Sequence, residues 1–239
     1  MNVMQQTAPS DALPSARLTI IVPVLNERSV IVGLLASLAP FRERGVEVLV
    51  IDGGSNDGTL AAAAPGADRL IVAPPGRARQ MNVGAAAARA PVLLFLHADT
   101  RLPANADELI LKGLAASGLV WGHFDVRIES SSRWLPFVAW LMNLRSRATG
   151  IATGDQAMFV TRGAFAALGG FPDQALMEDV ELSTRLLRCG RPLCLRSPVV
   201  TSGRRWVSRG VWRTIAVMWW IRLLYFFGVA PDRLARLYR

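Results

Sequence analysis

Three short acidic clusters carry residue types suited to nucleotide chemistry, each directly after an apolar run. They read Pro23-Val24-Leu25-Asn26-Glu27, Asp52-Gly53-Gly54-Ser55-Asn56-Asp57-Gly58-Thr59 and His97-Ala98-Asp99. A carboxylate such as Asp52 accepts hydrogen bonds from ribose hydroxyls or a base N–H. A carboxylate such as Asp99 suits Mg²⁺ or Mn²⁺, which bind through one or two carboxylates and complete their shell with diphosphate oxygens and water. The same residues have simpler uses. Asp52 and Asp57 can cap turns, and Asp99 can cap a helix ahead of Pro103. Capping is the reading adopted for Asp57; for Asp52 ligand contact is preferred, and for Asp99 alone both stay open.

The elements that must position these clusters follow from hydrophobic pattern. Leu18–Val24 is an apolar run that reads as a strand covered on two faces, and Val46–Ile51 reads as a second buried strand. Glu27–Leu38 has helical spacing, with Val30, Ile31, Leu34, Leu35 and Leu38 on one side. Arg69–Val72 reads as a short strand, Arg77–Ala88 as a helix after Pro74-Pro75-Gly76, and Val92–Leu96 as the most hydrophobic strand. This alternation predicts an α/β fold with a parallel sheet and helices on both faces. Ligands then lie beyond the carboxyl ends of the strands, where the three clusters converge. Downstream the pattern is mixed: strands at Val120–Ile128, Gln156–Val160 and Pro192–Val200, and helices at Trp134–Leu144, Gly163–Leu168 and Asp179–Cys189.

Two nucleotide readings fail on the first cluster. A dinucleotide-binding turn needs Gly-x-Gly-x-x-Gly, whereas here Asn26-Glu27-Arg28 follows the strand and no glycine comes before Gly33. No P-loop is present either.

Length and composition narrow the class further. The 239 residues suffice for a core without disulfides, and 51% apolar with 19% charged residues excludes a disordered or fibrous chain. The net charge of +9 is unevenly placed: residues 1–181 carry −2, and residues 182–239 carry +11 with Asp232 their only acid. Arginine supplies 26 of the 27 basic residues, which suits phosphate or carboxylate partners. Cys189 and Cys194 are too few for a disulfide framework or zinc site, so reduced thiols in a cytoplasmic protein are expected. No signal-peptide pattern precedes Asp11, and residues 1–16 read as a disordered leader.

Together the clusters resemble glycosyltransferases of family 2 with the GT-A fold, from about Leu18 to Trp206. Phe95-Leu96-His97-Ala98-Asp99, Gly154-Asp155-Gln156 and Met177-Glu178-Asp179-Val180-Glu181-Leu182 complete the match in the family's order. The resemblance implies a UDP-sugar donor and a divalent cation, Mg²⁺ or Mn²⁺. It gives the nucleotide-sugar to Pro23, Leu25, Asn26, Glu27, Asp52, Gly53, Arg77, Arg79, Asn82, His97 and Ala98, and the metal to Asp99. It makes Asp179 the general base and puts Asp155, Gln156, Glu178, Arg204, Arg205 and Trp206 beside the acceptor. His97 stands where the family's first DxD carboxylate would be. Ser202 replaces the Gln of the Gln-x-x-Arg-Trp motif, so a single, non-processive transfer is expected. Residues 17–206 would form the transferase domain and 207–239 a helical extension.

A narrower resemblance, carried by Pro75 to Asn82, Phe95 to Thr100 and the Trp-rich tail, is to a subgroup associated with radical-SAM and selenium genes. It implies transfer to selenophosphate, giving a selenosugar of selenoneine biosynthesis; such an anionic acceptor needs positive receptors, and Arg204 and Arg205 of the basic C-terminal quarter are the candidates. An O-glycosyltransferase acting on a small-molecule or lipid hydroxyl, or an arsenosugar enzyme, is the alternative. A glycoside hydrolase would need two carboxyls about 5–9.5 Å apart across one bond, a worse match to adjacent Glu178 and Asp179. Nucleic-acid binding lacks a motif. Arg213 and Arg222 interrupt the tail Val211–Val229 and argue against a spanning helix. The expected role of that tail is to cover the catalytic domain or a homodimer partner, in preference to a lipid surface.

Overall fold

In the computed structural model, the described residues are 16–204, 206 and 210–238. Nearly all of the expected leader, together with Arg205, lies outside them. Strands β1 (Leu18–Val24), β2 (Glu47–Asp52), β3 (Arg69–Val72) and β4 (Val92–Phe95) pair in parallel, with β1 central between β2 and β4. Helices α1 (Arg28–Glu43), α2 (Thr59–Ala63) and α3 (Arg77–Ala87) make the connections. Then follow β5 (Thr100–Arg101), α4 (Ala106–Ser117), β6 (Trp121–Glu129), α5 (Leu135–Thr149), β7 (Phe159–Thr161), α6 (Arg162–Ala167), α7 (Glu178–Leu186) and β8 (Leu193–Ser202). The sheet has the order β3-β2-β1-β4-β7-β6-β8-β5. Its parallel half is interrupted at β7, which runs antiparallel to both β4 and β6. A mixed, mainly parallel sheet is therefore the architecture.

Both faces of the sheet are covered, as the mainly apolar central strands β1 and β4 require. Along β1, Ile20 and Val22 pack in one layer with α1, α4 and α5, while Ile21 packs in the other with α3, α6 and α7. Helix α1 runs further than its apolar stripe indicated, passing through Pro40 to Glu43. The expected strand from Gln156 starts later, because residues 154–156 form a 3₁₀ turn ahead of β7. Helix α4 was not anticipated, although Asp107 and Glu108 complement its first turn and Gly118 closes it.

Helix α3 must approach the sheet closely to bring Arg77 to the strand ends, and Gly84 permits it. A Cβ there would lie 2.4 Å from Ile21 Cγ2 and 3.1 Å from Ile51 Cγ1. Overpacking of this kind costs about 1–3 kcal/mol. Gly84→Ala is therefore expected to lower the thermal midpoint by several degrees; an unchanged midpoint would show that α3 can shift freely.

The expected helical tail is present as α8 (Val211–Phe226), followed by α9 (Pro231–Tyr238). Tyr225 Oη donates to Glu181 Oε2 at 3.1 Å, tying α8 to α7. No helix among the described residues is long and apolar enough to cross a membrane.

Candidate active site

The first two clusters are stapled into one rim. Asn26 N donates to Ser55 Oγ at 2.8 Å, and Asn56 N returns a bond to Asn26 Oδ1 at 3.0 Å. Glu27 N donates to Thr59 Oγ1 at 2.9 Å and Arg28 N to Asp57 Oδ2 at 3.1 Å. Asp57 Oδ1 also accepts from Thr59 Oγ1 and, at 2.9 Å, from Thr59 N; the hydroxyl bond first, then the backbone bonds, hold its carboxyl below the usual carboxylate range. Asp57 thus caps a turn, as read from sequence. Asp52 is buried, and its Oδ2 accepts from Gly54 N at 3.0 Å and Ser55 N at 2.9 Å. It orders the loop, the use set aside for it above. Gln80 locks this rim from below, donating through Nε2 to Val24 O and Ile51 O, both at 2.8 Å. Its signal in the sequence was weak, since a polar residue on a helix reads first as solvated.

Beside the rim opens a cavity of ≈ 340 Å³. Pro23, Glu27, Arg77, His97, Ala98, Asp99, Asp155, Glu178, Asp179 and Trp206 all line it. Asp99 is half-buried at the end of the β4 loop, and among the described residues no protein donor is seen on its carboxylate. His97 Nδ1 lies 3.4 Å from Asp155 Oδ1, so the residue standing in for the missing carboxylate is engaged with the neighbouring loop. Gly154 makes room for that ring: a Cβ there would sit 2.4 Å from His97 Cε1.

Opposite stands the first turn of α7. Asp179 Oδ2 accepts from Gly154 N at 2.7 Å, and Oδ1 from Val180 N at 2.7 Å. Withdrawal from water, then the charge of Glu178, pushes its carboxyl up to about 6 despite these bonds. Glu178 Oε1 is 3.6 Å from Arg77 Nη1. Arg145, which sequence reasoning missed, has Nε and Nη2 buried without a hydrogen-bond partner among the described residues. Burial draws its pKa down, and the charge of Asp179 counters that. The three non-glycine residues with left-handed φ among the described residues are Asn26 at 55°, Ala157 at 46° and Met177 at 67°. Each sits in a loop of this site, and such backbone persists only where surroundings enforce it. Met177 immediately precedes Glu178 and Asp179.

Other expected contacts fall elsewhere. Gln156, assigned to the acceptor, is fully buried; its Nε2 donates to Ser146 Oγ at 2.9 Å and its Oε1 accepts from Thr153 N at 3.2 Å. Its amide is spent holding the 154–156 turn. Asn82 bonds the backbone of Phe171 through both ends of its amide, at 2.8 and 2.9 Å. Arg79 Nε pairs with Asp173 at 2.8 Å on the exposed surface, which raises the arginine pKa. Leu25 is exposed, and Gly53 packs against Gln80. Arg204 is exposed and does not line the cavity, whereas Arg222 from α8 does. Helix α8 covers the cavity with Thr214, Met218, Ile221 and Arg222. The tail arginine delivered to the site is one that the sequence pattern presented only as an interruption of an apolar run.

A mainly parallel sheet with this acidic rim beyond its strand ends is the GT-A glycosyltransferase architecture. The sequence profile described as Glycosyl transferase family 2 matches residues 19–168, more than half of the chain, and the chain belongs to that family. Among solved structures it is similar to the mannosyltransferase PcManGT from Pyrobaculum calidifontis, in complex with GDP-Man and Mn²⁺. That match has 24% identity and a TM-score of 0.66, covering 96% of this chain and 71% of that one. It is also similar to S. aureus TarS 1–349 in complex with UDP-GlcNAc, at 19% identity and a TM-score of 0.64. The latter match covers 78% of this chain but only 58% of the TarS chain. A comparison with curated proteins found no match.

Proposed function

We propose that the protein transfers one sugar from a UDP-sugar, of the UDP-GlcNAc or UDP-glucose kind, to a small acceptor in the cytoplasm. The observation that carries this reading is Asp99 and Asp179 lining one cavity, with Arg77 and Arg222 in the same walls. The donor diphosphate would lie toward Asp99 and Arg77, with the uridine along the rim ordered by Asp52. An open carboxylate beside a diphosphate fits Mg²⁺ or Mn²⁺, and PcManGT, on the same fold, holds Mn²⁺ with GDP-Man. No group of three or more His, Cys, Asp or Glu among the described residues would hold a metal, so Asp99 would share the ion with the donor. A bound cation would supply charge stabilisation for the departing diphosphate. Free Cys189 and Cys194 agree with a reducing compartment.

For the acceptor, the narrower resemblance favours selenophosphate. Its selenium lone pair would form the C–Se bond at the anomeric carbon as the C–O bond to UDP breaks, the electron pair leaving with the diphosphate. Arg222 replaces Arg204 as the anion receptor supported by position. A hydroxyl acceptor is the second reading, and one observation favours it: a carboxylate near 6 is well poised to take a proton at neutral pH.

Mass spectrometry of products tests both. UDP-sugars offered with selenophosphate, thiophosphate or alcohols should give UDP and one glycosylated product, dependent on Mg²⁺ or Mn²⁺. Release of sugar from simple glycosides without nucleotide, with UDP-sugars untouched, would instead establish a hydrolase.

A further inference from the structure

Helix α8 has two apolar faces, and covering the catalytic domain accounts for one. Thr214, Met218, Ile221 and Arg222 face the cavity. The other face carries Trp212, Ala216, Trp219, Leu223 and Phe226, recurring at helical spacing and all exposed. Trp219 is 69% exposed and Phe226 83%. Helix α5 extends the same surface. Phe137, Trp140, Leu141 and Leu144 form its exposed stripe, and Trp134 at its start meets Trp212 with ring centroids 5.2 Å apart. Five of the seven tryptophans are thus on the outside of two adjoining helices. Scattered exposed apolar residues need no explanation, but a contiguous aromatic face marks an interaction surface.

The charges at this face select the occupant. Neither α5 nor α8 contains an acidic residue; of their arginines, Arg222 turns to the cavity, Arg145 is largely buried and Arg147 pairs with Asp125, which leaves Arg213 exposed at this face. The Arg133 guanidinium lies over the Trp134 ring at 5.5 Å, at the junction of the two helices. Tryptophan and arginine together suit the headgroup level of a bilayer, where the ring is half in hydrocarbon and the guanidinium meets phosphate. A spanning mode is not available to these helices, so they would lie in the interface plane.

We propose that the outer faces of α5 and α8 form a reversible docking surface for an anionic lipid bilayer. This replaces the expectation that the tail serves protein contact alone, and it stands whatever the acceptor. Because the inner face of α8 covers the cavity, docking would place the site's mouth close to the membrane surface.

The test is co-sedimentation of the full chain with phosphatidylcholine vesicles, with and without phosphatidylglycerol, read together with tryptophan emission. The anionic vesicles should pellet the protein and shift its emission to the blue, and added salt should weaken both effects. The triple variant Trp219→Ser, Trp220→Ser, Phe226→Ser should bind about tenfold more weakly or worse. Its melting midpoint and UDP binding serve to show an intact domain. No pelleting with anionic vesicles at low salt would overturn the proposal, as would undiminished pelleting of the folded variant. A stable dimer that the variant dissociates, without vesicle binding, would assign the face to a second copy instead.

Discussion

Asp99→Asn should lose most of the Mg²⁺- or Mn²⁺-dependent part of UDP binding while melting like the wild type. The stability half of this expectation follows from position. The carboxylate lines the cavity at a half-buried position, where losing its charge is expected to have a small effect on stability. The binding half follows from ligand supply. With His97 in place of a second carboxylate and set against Asp155, Asp99 is the available hard oxygen on its loop. An amide oxygen in its place keeps the shape and loses the charge, and a tenfold or greater loss of the cation's contribution is expected. Calorimetry with UDP, with and without cation, reads this directly. Cation dependence that survives in the folded variant would remove Asp99 from the metal role. The converse substitution, His97→Asp, should strengthen cation dependence and weaken cation-free binding, because a carboxylate at position 97 would then face Asp155.

The parallel half of the sheet was legible because β1, β2 and β4 are buried on both faces and therefore mainly apolar. Leu18–Val24 was read at its observed bounds for that reason. The convergence of the loops was legible because they follow strand ends on one side of such a sheet, and Asp99 and Asp179 do share a cavity. What was not legible depends on pairing between distant segments. The sequence of β8 does not show that it runs parallel to β6 while β5 adds antiparallel at its edge. Nor could residue type alone separate Gln156, spent on its own turn, from Asp155 one position earlier, which reaches the cavity. The tail was the hardest case. Its apolar content announced a buried helix, but periodicity cannot say which of two apolar faces meets protein. That fact moves Arg222 into the site and leaves Trp219 outside.

If the acceptor is selenophosphate, Arg222→Ala should slow single-turnover transfer more than Asp179→Asn. The acceptor then brings its own negative charge and a soft, polarisable nucleophile, so orientation and charge reception outweigh proton removal. A hydroxyl acceptor reverses the order, because loss of a general base costs about 10²–10⁴ in rate. The pH dependence separates the cases further. Asp179 works as a base only when ionised, so on the hydroxyl reading the rate climbs through about pH 6 and levels above it. In stability the sign is opposite. Its folded carboxyl holds the proton more tightly than the unfolded chain does, so its contribution is greatest in acid and is lost as pH rises to about 6. The Asn variant, which does not titrate there, should lack that slope in a series of melts. This second measurement confirms that the raised carboxyl belongs to Asp179 even if the rates assign it no proton transfer. Single-turnover rates with saturating donor, on variants shown to be folded, decide the ordering. A greater loss in Asp179→Asn than in Arg222→Ala would rule against an anionic acceptor and give the cavity to a hydroxyl.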